Sequence, residues 1–317
     1  MKTTLFHFRF AAISAAHSAT IATISAAAFL LLAGSCTVLS KTQKAMAQRL
    51  SISADTVVSA PIRMFETLAE VRLERSLFYA STLTGATAHF SEVDMIADAA
   101  EKEQKRLSKY GVYINALNSY IRAIQSLSSD TRWKGIGTEV RGIGNNLDSI
   151  LLYYDRIFSD SLSLGYFKIA GKAGGYISEE LTKGHQAKLL KEFMTKGDSI
   201  VSICCDSLIA VLKSDALIEL IDNEETALKY DYSRFLEFAT PKPEILIEYD
   251  RRYVHLSASM TTVKSLRTQC CRGLKAFQKA HSSLVKEMNR KKDSDIYPDL
   301  LELIKISSQI CLLIKKL

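Results

Sequence analysis

The sequence is poor in residues that interrupt helices: its 317 residues include only four prolines and 14 glycines. Alternating apolar and polar runs bounded by turn residues, which are typical of β-strands, are almost absent. Long stretches instead repeat apolar residues at steps of three and four, which is the spacing of one helix face. The sequence therefore predicts an all-α protein. We expect an elongated helical bundle of long antiparallel helical hairpins with coiled-coil-like packing.

Motifs of common enzymes are also missing. The chain contains neither the HExxH pattern of zinc proteases nor the GxSxG pattern of serine hydrolases. Beyond the first 40 residues its histidines stand apart, at His89, His185, His255 and His281. His281 falls on an apolar helix face, which favours a partly buried, hydrogen-bonded side chain over a ligand. We therefore expect no enzymatic activity and assign no catalytic residue.

Patterns for nucleotides and metals fail as well. Glycine-rich stretches at 135–144 and 171–175 follow no predicted strand and lack the lysine and hydroxyl of a phosphate-binding loop. The acidic run at 222–225 lacks the alternating ligands and the glycine of a calcium loop, and we interpret it as a turn. The CxxC spacing of zinc sites does not occur. The sequence predicts no cofactor and no metal.

The charge balance argues against a nucleic-acid partner. The chain has 41 Lys and Arg residues against 34 Asp and Glu residues, which gives a net charge of +7. Both signs are interleaved, as at 101–106, and such a mixture on a helix is typical of a solvated face. No basic arm and no basic strand with interspersed aromatics occurs.

The first 36 residues have the composition of an export signal. Lys2 and Arg9 are the only charges, an apolar run follows at 11–32, and the run ends in Gly34, Ser35 and Cys36. This ending resembles the lipobox of bacterial lipoprotein precursors, although Ala33 stands where that class usually has a larger aliphatic residue. The resemblance implies that the sulfur of Cys36 receives a diacylglycerol and that the chain is cut before it.

A lipid anchor at Cys36 would place the protein in a bacterial cell envelope. Two or more acyl chains anchor a protein stably, since each buried methylene contributes about 0.8 kcal/mol. No acidic residue occurs at 37–40, and by resemblance to lipoprotein sorting in many diderm bacteria this favours an outer membrane location facing the periplasm. Two alternatives stay open: an ordinary signal peptide with Cys36 unmodified, and an uncleaved membrane helix at 11–33.

The body of the chain is interpreted as one helical unit on a short tether. We predict a lipoprotein-type signal peptide at 1–35, a tether at 36–58 and an all-helical domain at 59–317. A subdivision is expected near residue 160. A hinge is expected at 240–243, because the two prolines there force an extended turn.

Two long helices, at about 91–127 and 244–292, are expected to dominate the domain. Shorter helices are predicted at 61–79, 133–158, 199–213, 215–221 and from Pro298 onward, and Gly184 and Gly197 are expected to bend or end helices. The long helices carry sustained heptad repeats of apolar residues, which predict their buried faces. The first repeat is Val93, Ile96, Ala100, Glu103, Leu107, Tyr110, Ile114, Leu117, Ile121 and Ile124. The second is Tyr249, Tyr253, Leu256, Met260, Val263, Leu266, Cys270, Leu274, Phe277, His281, Leu284 and Met288.

Apart from Cys36 and Cys311, the cysteines of the sequence form two adjacent pairs: Cys204 with Cys205, and Cys270 with Cys271. Neighbouring residues on a helix cannot bridge to each other without severe strain. An exported compartment permits a single disulfide between the two pairs. The alternative is that they are small apolar residues of a helical core.

The function that this sequence favours is non-catalytic binding. We expect a membrane-tethered lipoprotein that binds a protein partner or an envelope polymer on an exposed helical face. A first alternative is a carrier of a small apolar ligand in a cavity between helices, lined by Tyr230, Phe235 and similar aromatics. A second alternative is an enzyme with an unfamiliar site.

Overall fold

The computed structural model describes residues 39–129, 183–238, 243–290 and 298–317. These residues form six α-helices and no β-strand, so the all-α prediction is confirmed for this part of the chain. In chain order the helices are α1 (Lys41–Ala80), α2 (Ala86–Ser128), α3 (Lys183–Lys213), α4 (Asp215–Phe238), α5 (Pro243–Met288) and α6 (Pro298–Ile314).

The two longest of the described helices are those predicted from the apolar repeats: α2 has 43 residues and α5 has 46. Every repeat position of α5 from Tyr249 to Met288 is buried or partly buried. In α2 the described C-terminal positions of the repeat are buried, whereas Val93 and Ile96 near its start are partly exposed. The side chains at the repeat positions from 100 to 110 lie outside the described residues. The buried repeat positions of α2 are Ile114, Leu117, Ile121 and Ile124.

The segment 36–58, expected to be a tether, is helical from Lys41 onward, where α1 begins. Ser40 caps this helix, because its hydroxyl accepts a hydrogen bond from the Gln43 backbone N–H at 3.0 Å. The Gln43 side-chain carbonyl accepts in return from the Ser40 backbone N–H at 3.1 Å, which completes a capping box. The stripe that this segment buries is made largely of small residues, which give a weak apolar signal. Its members are Ala47, Leu50, Ser51, Ala54, Val57 and Val58.

Pro61, predicted to start a helix, lies inside α1 instead. A proline in a helix interior removes one backbone hydrogen bond and costs about 3 kcal/mol. The helix continues because its buried stripe runs on through both sides of the proline, with Val57, Ala60 and Met64 inaccessible to solvent. Burial of apolar area against the four described helices that contact α1 offsets the local penalty.

The acidic run at 222–225 is also helical, so the predicted turn is wrong and α4 continues to Phe238. The carboxylates of Asp222 and Glu225 each lie 2.8 Å from the Lys264 ammonium group on α5. Lys229 of α4 itself also lies 3.9 Å from the Glu225 carboxylate, one helical turn away. Contacts from a neighbouring helix therefore add to those that α4 makes within its own sequence.

α1 and α5 form the centre of the bundle and run in opposite directions. Near the start of α1, the Gln43 side chain donates a hydrogen bond to the Glu287 carbonyl oxygen near the end of α5, at 3.1 Å. At the other end, Phe78 of α1 packs on Tyr249 of α5, with ring centroids 6.4 Å apart. The start of α1 therefore lies beside the end of α5, and the end of α1 lies beside the start of α5.

The remaining described helices pack around this pair. α2 contacts α1 and α3, α3 contacts α5, α6 contacts α1 and α5, and α4 lies against the end of α1. Gly273 of α5 lies at a close approach of three helices, because a Cβ there would lie 2.8 Å from a side-chain carbon of Val57 on α1 and 3.2 Å from one of Ile310 on α6. Glycine at this position lets three helices meet around one core.

Several predictions fall on residues that the structure does not describe. They are the leader with Cys36, the helix at 133–158, the glycine-rich stretches at 135–144 and 171–175, the subdivision near 160, and the hinge before Pro243, which itself begins α5.

Candidate functional site

An aromatic cluster joins α1, α4 and α5 at the end of the bundle where α1 stops. The rings of Tyr232 and Tyr253 stack at a centroid distance of 4.4 Å, and Phe78 meets Tyr232 edge-on at 5.0 Å. Phe235 packs on Phe78 at 5.4 Å and on Tyr249 at 4.7 Å. Such pairs are worth about 0.5–1.5 kcal/mol each beyond their buried area. The cluster therefore fixes α4 firmly on the two central helices.

A buried ion-pair cluster lies beside these rings. The Glu224 carboxylate of α4 accepts hydrogen bonds from Arg72, at 2.7 Å, and from Arg75, both of α1. Arg75 also reaches Asp231 at 3.3 Å. Burial alone would raise the pKa of Glu224, but the hydrogen bonds from the two arginines outweigh it and hold that pKa below its ordinary value. Glu224 is therefore charged at neutral pH and ties α4 to α1.

Above this packed layer, Arg234 lies among three aromatic rings. Its guanidinium carbon is 5.4 Å from the ring centre of Tyr79, 5.8 Å from that of Tyr230 and 5.5 Å from that of Phe238. These distances are those of cation–π contacts. Tyr230 is 60% exposed and Phe238 57% exposed. We call these four residues the Arg234 surface.

The sequence analysis does not predict the Arg234 surface, because it treats Tyr230, Phe235 and similar aromatics as the lining of a ligand cavity. The structure separates them: Tyr232 and Phe235 are buried, whereas Tyr230 and Phe238 point outward. A signal was present, because Tyr230, Arg234 and Phe238 follow one another at steps of four and so share one helix face. The contribution of Tyr79 from α1 had no sequence signal.

A second polar arrangement joins α2, α3 and α5 inside the core. The Tyr120 hydroxyl donates to Nε2 of His281 at 2.6 Å, and Nδ1 of His281 donates to the Asp198 carboxylate at 2.9 Å. Ser282 donates to the same carboxylate oxygen at 2.7 Å. The hydrogen bond from His281 is the main cause that lowers the pKa of Asp198. This fixes the histidine tautomer and links three helices through one chain of hydrogen bonds.

The hydroxyl, imidazole and carboxylate resemble a catalytic relay in composition only. Both Tyr120 and His281 are completely buried, so neither presents an atom to a substrate. Tyr120 also stacks on Phe193 at 5.0 Å and covers Gly197, where α3 continues as a helix to Lys213, so no helix ends there. These hydrogen bonds fix the positions of α2, α3 and α5 relative to one another in the core. The prediction of a hydrogen-bonded His281 is confirmed.

The two cysteine pairs face the core as free thiols. Cys204, Cys205, Cys270 and Cys271 are all buried on α3 and α5, which pack on each other. Burial raises the pKa of Cys204 to about 12 and raises that of Cys270 as well, so both stay protonated and unreactive at neutral pH. A disulfide between the pairs stays a prediction for the oxidised protein.

A cavity of about 470 Å³ opens at the other end of the bundle, where α1 begins. Its walls come from the start of α1, the end of α2 and the start of α3. The lining combines apolar residues with lysines, glutamines and serines: Leu39, Ser40, Lys41, Lys44, Ala45, Gln48, Leu127, Ser128, Gln186, Ala187 and Leu190. Tyr230 and Phe235, expected to line a ligand cavity, are not among them.

Within the described ranges, no group of three or more His, Cys, Asp or Glu side chains is arranged to hold a metal ion. None of the helices described there combines the length and the apolar character needed to cross a bilayer. Comparison with known proteins gives no match: no family model fits this chain, and no curated protein or solved structure is similar to it.

Proposed function

We propose that this chain is a membrane-tethered helical lipoprotein of the bacterial envelope that binds a protein partner through the Arg234 surface, without catalysis. The observation that carries the proposal is one arginine set among three rings, two of which are more than half exposed. Tyr, Phe and Arg are the residue types enriched in the cores of protein interfaces. Isolated exposed apolar residues are common on protein surfaces, whereas here two exposed rings lie beside the same arginine.

The layer beneath the surface supports the same conclusion. Phe78 and Phe235 pack below it, and Glu224 ties Arg72 and Arg75 to α4. Arg234 is already in contact with three rings, so its side chain loses less conformational entropy when a partner binds, which favours affinity. The rings offer apolar contact area and the guanidinium offers a charged donor. The partner we infer presents a carboxylate beside an apolar side chain.

The position of the Arg234 surface along the bundle suits a tethered binding protein. Cys36 precedes the first residue of α1 by five positions, and Tyr79 lies at the opposite end of that helix. The 40 residues of α1 span about 60 Å at 1.5 Å per residue. A lipid anchor at Cys36 would therefore leave the Arg234 surface far from the membrane. In this proposal the elongated bundle acts as a spacer facing the periplasm from the outer membrane.

Removing the binding residues should abolish capture of the partner. The combined substitution of Tyr230→Ala and Arg234→Ala is expected to weaken binding at least 30-fold, since an interface hot spot is worth about 2 kcal/mol or more. The matched control is Ile52→Ala, which removes an equally exposed apolar side chain from the other half of α1. Proteins cross-linked in envelope membranes and recovered with each variant would be compared by mass spectrometry.

A partner recovered with wild type and with Ile52→Ala, but not with the double variant, supports the proposal. Equal recovery with all three would contradict it. An envelope polysaccharide recovered in place of a protein would also contradict it, and would assign the surface to the polymer alternative. Thermal melting of each variant shows that lost capture does not come from unfolding.

The lipid anchor makes a separate prediction. Cys36→Ser should move the protein from the membrane fraction to the soluble fraction, or leave an uncleaved precursor, because the acylated sulfur is removed. Intact-mass measurement of the wild-type protein should show the added acyl chains. Unchanged membrane association together with unchanged mass would contradict lipidation and favour the uncleaved membrane helix.

A further inference from the structure

The first part of α2, residues 86–99, lacks the cover that the later part of the same helix receives. No side chain of this segment is buried. Phe90 is 70% exposed, and Val93 and Ile96 are partly exposed, whereas Leu117 further along α2 is inaccessible to solvent. We call residues 86–99 the α2 extension.

The place where α3 ends accounts for this exposure. Near the start of α3, Gln186 donates to the Leu127 carbonyl oxygen at 2.9 Å. Further on, Gly197 lies under the Tyr120 ring, so the two helices run antiparallel. At equal rise per residue, Lys213 at the end of α3 then lies beside roughly position 102 of α2. Because α4 packs on α1 and α5 instead, the α2 extension lies beyond the helix that covers the later part of α2.

The larger apolar residues of the α2 extension share one helix face. Phe90, Val93 and Ala97 follow one another at steps of three and four, and Ile96 lies beside Val93 on the same face. A stripe of this kind is typical of a helix that packs on another element. The α2 extension therefore presents a face suited to docking, and that face is open to solvent.

The charges that flank this stripe are all negative. By helical spacing, Glu92 lies on one side of it and Asp94 and Asp98 lie on the other. Among the described residues no cation pairs with these three carboxylates, and the sequence has no Lys or Arg between Arg75 and Lys102. The first turn of α2 contains no acid, so the helix dipole does not account for them. Asp94 and Asp98 repel each other at a spacing of four, and a cationic partner would relieve that repulsion.

We propose that the α2 extension docks a basic amphipathic α-helix of a partner protein. The apolar side of that helix would lie on Phe90, Val93 and Ile96, and its lysines or arginines would lie beside the flanking carboxylates. Apolar anchors supply affinity in helix recognition, and complementary charge selects the partner. The Arg234 surface presents a cation and therefore favours a partner of the opposite charge. The two sites are separate, and neither depends on the other.

Fluorescence anisotropy with a designed peptide tests the site in the full chain carrying Cys36→Ser, which removes the proposed acylation site. The probe is a fluorescein-labelled peptide of about 18 leucines and lysines at helical spacing. We expect saturable binding at physiological ionic strength. The same peptide with glutamate in place of lysine should bind at least tenfold more weakly, because it is repelled by the carboxylates. A version with two central prolines, which prevent a helix, should weaken by a similar factor.

A variant of the stripe locates the apolar contacts. Phe90→Ser with Val93→Ser should weaken peptide binding at least tenfold, since it removes two anchors, and it should leave the fold intact because neither side chain is buried. The matched control is Leu301→Ser with Leu312→Ser, which removes two exposed apolar side chains from α6. This control should bind the peptide as wild type does.

A second variant locates the charged contacts. Asp94→Lys with Asp98→Lys should weaken binding of the lysine peptide at least tenfold, because attraction becomes repulsion. The matched control is Glu219→Lys with Glu302→Lys, which makes the same change in net charge at exposed positions of α4 and α6. This control should change binding little.

Each other outcome overturns the assignment. Peptide binding that the stripe and charge variants leave unchanged, or that the controls weaken equally, would place it elsewhere. Equal binding of the proline peptide would reduce the site to charge attraction. A dimer seen by light scattering that Phe90→Ser with Val93→Ser dissociates would assign the face to a second copy of this chain. Absence of saturable binding would refute the site and would leave the proposal for the Arg234 surface untouched.

Discussion

Leu266→Ala is expected to lower the free energy of unfolding by about 2–5 kcal/mol. Leu266 is completely buried near the middle of α5, where the helix is enclosed by neighbours along its length. Removing its side chain leaves a cavity that the surrounding helices cannot close without moving against other contacts. Leu117 of α2 is equally buried and should behave in the same way.

Denaturant unfolding followed by circular dichroism measures this effect. Val254→Ala is the matched control, because Val254 lies on the same helix but is 64% exposed. That change should alter the free energy of unfolding by about 0.5 kcal/mol or less. Equal midpoints for Leu266→Ala and Val254→Ala would show that the repeat on α5 does not face the core.

Gly197→Ala should destabilise the protein by about 1–3 kcal/mol, although alanine normally stabilises a helix interior relative to glycine. The added Cβ would lie 2.3 Å from a ring carbon of Tyr120 and 2.4 Å from its hydroxyl oxygen. That ring cannot yield easily, because it stacks on Phe193 and is hydrogen-bonded to His281. α2 and α3 would have to separate, which weakens their shared core.

Gly111→Ala on α2 provides the opposite expectation. The nearest atom to a Cβ there is the side-chain nitrogen of Asn115 at 3.9 Å, so alanine fits and should stabilise by about 0.4–1 kcal/mol. In a Tyr120→Leu background, the penalty of Gly197→Ala should shrink because the obstructing ring is gone. Stabilisation by both glycine substitutions in the wild-type background would contradict the close approach at Gly197.

Sequence periodicity predicted the long helices because their apolar repeats are local and sustained. The extents of α2 and α5 and the buried side of α5 follow from spacing alone. Rules based on neighbouring residues gave wrong helix boundaries where contacts with residues distant in the sequence keep the chain helical. Pro61 is accommodated because the buried stripe of α1 continues on both sides of it, and two of the clustered acids of α4 pair with Lys264 of α5.

The candidate sites were less accessible to sequence reasoning than the fold. Tyr230 and Phe238 share a helix face, but Tyr79 reaches them only through the packing of α1 on α4. The lining of the cavity likewise combines Leu39, just before α1, with Leu127 of α2 and Leu190 of α3. Such sites form where packing brings together residues that are distant in the sequence. Composition and periodicity do not reveal which distant residues meet. The anchor at Cys36 rests on a contiguous motif, and for that reason the sequence alone could suggest it.

Photo-cross-linking from the Arg234 surface tests the central claim most directly. The photoreactive aromatic p-benzoylphenylalanine would replace Phe238 in one variant and Ile52 in another, and intact cells would be irradiated. We predict a discrete protein adduct from position 238 that disappears when Arg234→Ala is added, and none from position 52. Adducts that are the same from both positions, or that persist without Arg234, would contradict binding of a partner at this surface.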